Sequence, residues 1–140
     1  MRADFRHFQT LTTRWRDNDA YGHINNVVYY EWFDTVVNAY MIENGALDFT
    51  ADPVVGLVVE TRCSYFAPLT YPQPVDVGLA VERIGRSSVR YALGVFAAGE
   101  PTAAAAGSFV HVYVDRATRR PAPLSPALMA CLQGLRRDAR

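Results

Sequence analysis

The sequence predicts an α+β domain in which an antiparallel sheet is built around one long helix. Three observations point to it. Residues 25–43 form a run of about five helical turns so rich in Val, Tyr, Trp and Phe that no side of it reads as wet. A helix apolar all round is normally buried inside something larger. Four β-prone segments follow, at about 54–66, 75–84, 89–97 and 103–114, divided by turn signals such as Gly85-Arg86-Ser87 and Gly99-Glu100-Pro101. Consecutive strands joined by tight turns argue for hairpins, and a sheet that curls around the helix buries it.

In chain order, residues 7–15 alternate well enough for a first strand, with Phe8, Leu11 and Thr13 as inward candidates. A polar loop, 16–22, breaks it. Asn25 or Asn26 makes a reasonable N-cap for the long helix, and Asn44-Gly45 a stop. The segment L-T-Y-P-Q-P separates the second strand from the third. Ser125-Pro126 reads as a cap followed by proline at the first helical position, opening a short helix to about Leu135. With no internal repeat or linker, residues 1–140 read as one domain.

Composition narrows the function. Half the residues are apolar and a fifth charged, a globular balance. Fourteen basic and fourteen acidic side chains give zero formal charge, so nothing global steers the chain to nucleic acid or an anionic membrane. The first ten residues lack the apolar stretch of a signal peptide, and no uncharged run approaches a membrane span. A cytoplasmic protein is expected. Cys63 and Cys131 have no C-x-x-C spacing and read as reduced thiols. His7, His23 and His111 show no metal-ligand spacing, so neither a metal nor another cofactor is expected. Nucleophile elbow, phosphate loop and dinucleotide fingerprint are all missing.

The chemistry concentrates in residues 16–38, R-D-N-D-A-Y-G-H-I-N-N-V-V-Y-Y-E-W-F-D-T-V-V-N. The first backbone N–H groups of the helix have no partner within it and carry partial positive charge. A carboxylate held just ahead of them is an arrangement for acyl chemistry, with a base or nucleophile facing a pocket for a developing oxyanion. Asp19 is the candidate carboxylate, though acids before helices also serve as caps. Asp17 reads as a loop-shaping residue bonded to local backbone. Gly22 permits a tight turn and close approach of a thioester to backbone. Tyr29, Tyr30, Trp32 and Phe33 are core first, and Glu60 reads as an outward-facing strand residue.

The order D-x-D-x-x-G-H-I-N-N-x-x-Y-Y, then S-Y-F-A-P-L, then G-R-S-S, resembles the 4-hydroxybenzoyl-CoA thioesterase-like branch of the hotdog-fold acyl-CoA thioesterases. The likeness runs from Thr10 through the basic loop after Asp115. It implies a hotdog fold, a five-stranded antiparallel sheet wrapped around a long central helix, with a short C-terminal helix. It also implies homodimers joined at their sheet edges, often paired into homotetramers, with active sites between subunits.

Residue by residue, the resemblance makes Asp19 the essential carboxylate, the Asn26 backbone N–H the oxyanion donor and His23 a functional histidine. In related acyl-carrier-protein thioesterases an Asn stands two residues after the acid; this chain has Tyr21 there. Gly22, Tyr29, Ser64, Tyr65 and Phe66 would border the substrate. Arg86 and Ser88 of G-R-S-S, and more loosely Arg83, would hold the coenzyme A nucleotide, since Arg forks match phosphate oxygens. Arg119 and Arg120, at a loop tip, read as solvated. The implied activity is hydrolysis of an acyl-CoA thioester to acid and coenzyme A. Two alternatives stand beside it: a hydratase or dehydratase using His23 on the same scaffold, and a non-catalytic acyl-CoA-binding protein.

Overall fold

The computed structural model describes residues 1–137. Its elements are β1 (His7–Leu11), α1 (Asn26–Glu43), β2 (Val54–Tyr65), β3 (Val75–Ile84), β4 (Ser88–Ala97), β5 (Ala105–Asp115) and α2 (Pro126–Gln133), with 3-10 turns at Arg2–Asp4 and Trp15–Asp17. The strands form one sheet in the order β1-β3-β4-β5-β2, antiparallel throughout.

The helix caps follow the local chemistry. The Asn25 side chain accepts the Val27 N–H at 3.1 Å, so the helix begins at Asn26. Ser125 accepts the Leu128 N–H at 3.1 Å and Pro126 opens α2, which ends at Gln133, a little before the expected Leu135. Val28, Tyr29, Trp32, Phe33, Val36, Val37 and Met41 recur at helical spacing and are buried. They join Val77, Leu79, Tyr91, Leu93, Phe109 and Tyr113 of the sheet in the main core. A second cluster, Phe5, Phe8, Ala80, Ala92 and Phe96, packs on the opposite sheet face beneath the N-terminal segment.

Four expectations are corrected. The first strand stops at Leu11 and Trp15 enters a 3-10 turn. Period-two alternation then puts Phe8 in the second cluster, while His7 packs against Tyr40 of α1 with ring centroids 4.7 Å apart. Second, β2 and β3 are not a hairpin: the proline-rich connection 66–74 carries the chain across the sheet, and β2 pairs with β5 at the far edge. Third, the last strand, β5, spans Ala105–Asp115 and so begins two residues later than expected.

Fourth, α1 does have a wet side. Val27, Tyr30, Glu31, Asp34 and Thr35 are exposed, because the sheet covers only one stripe of the helix and the charged Glu31 and Asp34 lie on the other. That stripe borders β2, whose outer edge pairs with no strand and exposes Leu57, Val58 and Val59. No helix among the described residues is long and apolar enough to cross a membrane.

Candidate active site

The loop before α1 is fixed by its own polar groups. Asp17, 1% exposed, accepts the Arg14 N–H at 2.8 Å on one oxygen and the Arg14 guanidinium at 2.8 Å on the other. The same guanidinium reaches Glu31 of α1 at 2.8 Å. The Asp17 carbonyl accepts the Asn25 N–H at 2.8 Å, which sets where the helix starts. The loop 66–74 braces the other flank. Its Leu69 carbonyl accepts from Ile24 N–H at 2.8 Å, its Tyr71 N–H donates to Asn18 at 3.1 Å, and Thr70 donates its hydroxyl to the Gly22 carbonyl at 2.9 Å.

Within this frame Asp19 turns the chain. Its Oδ1 accepts the N–H of Tyr21 at 2.8 Å and, more weakly, that of His23 at 3.4 Å, while its own N–H donates to the His23 carbonyl at 2.7 Å. Gly22 closes the turn at φ +81°, a left-handed conformation that L side chains rarely adopt. The second carboxylate oxygen of Asp19 has no hydrogen-bond donor among the described residues.

Asp19 lines a cavity of about 380 Å³ with Ile24, Asn26, Tyr29, Tyr65, Phe66, Ala67 and Pro68. At its wall the first N–H groups of α1 are unequally satisfied. Asn25 N–H bonds to Asp17, Val27 N–H to the Asn25 side chain and Val28 N–H to the Asn25 carbonyl. The N–H of Asn26 has no acceptor among the described residues. Tyr65 donates its hydroxyl to the Asn26 carbonyl at 3.1 Å and stands edge-on to Tyr29, ring centroids 4.9 Å apart. Burial pushes the Tyr29 hydroxyl up to about 12, with Cys63 adding to the shift. Burial also raises the Tyr65 hydroxyl and the Cys63 thiol, so neither tyrosine nor this cysteine is an anion near neutrality.

Of the residues singled out in the sequence, the cavity brings together Asp19, Asn26, Tyr29, Tyr65 and Phe66. Gly22 shapes the turn without lining it. The His23 side chain is exposed and its contacts here are through backbone. Ser64 lies beside the wall on the exposed strand end. Arg86 and Ser88 sit at the opposite end of the sheet. Tyr65 pairs with Ala105 but Ser88 with Val112, seven residues along β5, about 23 Å at the usual strand rise. Glu60 pairs instead with Arg90 at 3.2 Å. Sequence reasoning missed Ile24, Ala67 and Pro68 as walls, although the last two stood in the S-Y-F-A-P-L motif. The bracing by Asn18 and Thr70 had no sequence signal.

The class of protein that such a fold and cavity define is a thioesterase of the hotdog type. The chain belongs to the thioesterase-like superfamily, whose family description matches residues 13–132. Among solved structures it is similar to the PA5185 protein of Pseudomonas aeruginosa strain PAO1, at 50% identity and a TM-score of 0.96, covering 99% of this chain and 97% of that one. The PA2801 protein of Pseudomonas aeruginosa matches at 26% identity and a TM-score of 0.84, covering 91% and 98%. A 1,4-dihydroxy-2-naphthoyl-CoA thioesterase from Synechocystis matches at 14% identity and a TM-score of 0.82, covering 90% and 94%, a likeness of fold alone. No curated protein matches.

Proposed function

We propose that the protein hydrolyses an acyl-CoA thioester, with the carbonyl docked at the start of α1, the hotdog's central helix. The observation that carries this is the meeting of an ionisable carboxylate, Asp19, and a main-chain N–H without an acceptor, Asn26, on one cavity wall. The N–H polarises the thioester carbonyl and takes the charge that grows on its oxygen. Asp19 either activates a water or attacks the carbonyl to form a mixed anhydride. Its free oxygen suits both routes, while its bonds to Tyr21 and His23 hold the carboxylate in place. The aromatic rings of Tyr29, Tyr65 and Phe66 give the acyl group an apolar wall. His23 orients Asp19 through its backbone.

The chain works as a homodimer in this reading. The unpaired β2 edge and the exposed apolar residues beside it are a liability that a second copy removes by edge-to-edge pairing. A two-fold axis reverses one strand, so the same pairing swings Arg86 and Ser88 of the partner subunit toward the cavity, where a nucleotide phosphate would lie.

Thiol release from a panel of coenzyme A esters tests the reading. Hydrolysis should be seen in the wild type and be lost in Asp19→Asn. Water addition to crotonyl-CoA without thiol release would replace it with a hydratase. Single-turnover hydrolysis in heavy-oxygen water separates the two routes: label in the Asp19 carboxylate means direct attack.

A further inference from the structure

The Asp19 cavity is not closed within one chain. Two of its walls, Tyr65 and Phe66, are 44% and 65% exposed, and Tyr30 on the adjoining stripe of α1 is 39% exposed. Binding pockets bury most of an apolar ligand's surface, so an acyl group lying on these rings alone would stay partly in water. The open flank is that of the free sheet edge, since Tyr65 ends β2.

A matching surface lies at the other end of the molecule. Phe49, in the loop between α1 and β2, is 52% exposed and belongs to neither core cluster. Its loop is nonetheless tied down. The Arg116 guanidinium donates to the Phe49 carbonyl at 2.6 Å and to the Asp52 carbonyl at 2.9 Å, and the Asp48 carboxylate accepts the N–H groups of Thr50 at 3.0 Å and Ala51 at 3.2 Å. Phe49 shares a small cavity of about 50 Å³ with Asn38 of α1, Val54 and Gly56 of β2 and the buried His111, whose Nε2 has no partner among the described residues. It therefore lies on the helix side of the sheet, as does Tyr65, whose ring meets Tyr29 of α1. With Ile42, 49% exposed on the same cleft, Phe49 prolongs the apolar strip of Leu57, Val58 and Val59, and contiguous patches of this kind mark contact surfaces.

Within one chain Phe49 and the Asp19 cavity sit at opposite ends of α1, Asn26–Glu43, a helix about 27 Å long. Edge pairing brings them together. Where two identical strands pair antiparallel, the two-fold axis decides which residues face each other. Leu57, Val58 and Val59 are exposed in succession, so an axis that buries them falls near Val58. Val54, four residues before Val58, then stands opposite Arg62, four residues after it in the other copy, one strand spacing or about 5 Å away. The bulge between Val58 and Glu60 displaces this match by a single residue. From Arg62 to Tyr65 is three residues of β2, about 10 Å. The partner subunit's Phe49, beside its own Val54, thus arrives at the open flank of Tyr65 on the same sheet face.

We propose that Phe49 of the partner subunit is the far wall of the acyl site and sets the length of acyl chain the enzyme accepts. The inference rests on the thioesterase reading and on the edge-paired dimer. An acyl chain leaving the corner of Asp19 and Asn26 runs along Tyr65, Tyr30 and Cys63, side chains close enough to act on one another, and ends on the partner subunit's Phe49. No side chain on that path carries a formal charge, which suits a hydrocarbon chain and not a charged terminus.

The test compares kcat/KM for octanoyl-CoA and tetradecanoyl-CoA. Phe49→Ala opens the end of the site and should raise the tetradecanoyl-to-octanoyl ratio by about ten-fold or more, the scale on which an apolar pocket discriminates by one methylene. Phe49→Trp should lower the ratio. Phe49→Leu serves if light scattering shows that the Ala variant no longer dimerises. Mixed dimers, isolated by two different tags, decide whose phenylalanine is used. One chain carries Asp19→Asn with Phe49 intact and the other Phe49→Ala with Asp19 intact. The one working Asp19 then faces an intact Phe49 of the partner subunit, so the wild-type ratio should return. Mixed dimers that keep the ratio of the Phe49→Ala homodimer, or an unchanged ratio in both the smaller and the larger variant, overturn the proposal. A wild type that is monomeric and active also overturns it and leaves the thioesterase reading standing. A wild type that hydrolyses no thioester sinks both.

Discussion

Tyr65 donates its hydroxyl to the main-chain carbonyl of Asn26 at 3.1 Å, so the last residue of β2 is tied to the first residue of α1. The bond ties one wall of the cavity to the start of the helix, where the Asn26 N–H has no acceptor among the described residues. Tyr65→Phe keeps the edge-on contact with Tyr29 and removes only the hydrogen bond. Stability should fall by about 0.5–1.5 kcal/mol, read from a urea midpoint. Thiol release should fall by less than about ten-fold, since in the proposed reaction this bond only positions the Asn26 N–H. A Tyr65→Phe enzyme as inactive as an Asp19 variant would mean the hydroxyl itself takes part in the chemistry.

Asp19→Asn keeps an oxygen for the Tyr21 and His23 N–H groups and replaces the free carboxylate oxygen with an amide nitrogen. The expected outcome is an unchanged circular dichroism spectrum and a loss of about 10²–10³ in kcat, the scale of removing one main electrostatic contributor. Near-full activity in a folded Asp19→Asn protein would remove the mechanism.

Asp17 should report on stability instead. Its carboxylate is buried and holds both the Arg14 N–H and the Arg14 guanidinium. Asp17→Ala leaves a main-chain donor without its acceptor, while the guanidinium, 43% exposed, turns to water. The loss should be about 1–3 kcal/mol, visible as a lowered melting temperature. Activity at low temperature should survive better than in Asp19→Asn. The reverse ranking would assign the chemistry to the first acid of the motif.

These contrasts show which parts of the molecule could be read from its residues. The Asn25 cap, the Ser125-Pro126 start of α2 and the positions of β3 and β4 depend on neighbours in the chain, and local chemistry gave them. That Asp19 and Asn26 lie on one cavity was legible for the same reason: seven residues suffice to bring an acid loop to a helix start. What escaped depends on chain topology. A run of Val, Tyr and Trp looks alike whether a sheet covers it or leaves it open, so the exposure of Val27 and Tyr30 was invisible. The same holds for β2, whose residues suit a hairpin with β3 but pair with β5 after the proline-rich crossing. The lone buried Nε2 of His111 follows from which strands flank β5, and no spacing in the sequence encodes that.

The free edge of β2 makes a prediction of its own. Val58 faces the helix side of the sheet, is 50% exposed and stands near the middle of the edge strand β2. A lysine there should block edge pairing, because a desolvated charge on an edge resists a second strand. Light scattering should report a dimer or larger for the wild type at micromolar concentration and a monomer for Val58→Lys. The monomer should keep its far-ultraviolet spectrum and lose thiol release. A wild type that is monomeric and active would refute the interface, though not the Asp19 chemistry.

His111 supplies the clearest dependence on pH. Burial lowers its pKa from the usual 6.5 to about 4, against a smaller opposing pull from Asp34. Above pH 6.5 the ring is neutral in both folded and unfolded chains and contributes no slope. Between 6.5 and 4 the unfolded chain binds a proton that the folded one refuses, so stability falls as pH falls. Below 4 both forms are protonated and the loss levels off, at about 3 kcal/mol for a shift of this size. Urea midpoints measured from pH 8 to pH 4 should therefore diverge between wild type and His111→Gln, the variant losing less on acidification because it has no proton to take up. Carboxylate titrations elsewhere cancel in that difference. A gap between the two proteins that stays constant across the whole range would mean the folded ring is already solvated enough to protonate near its ordinary pKa.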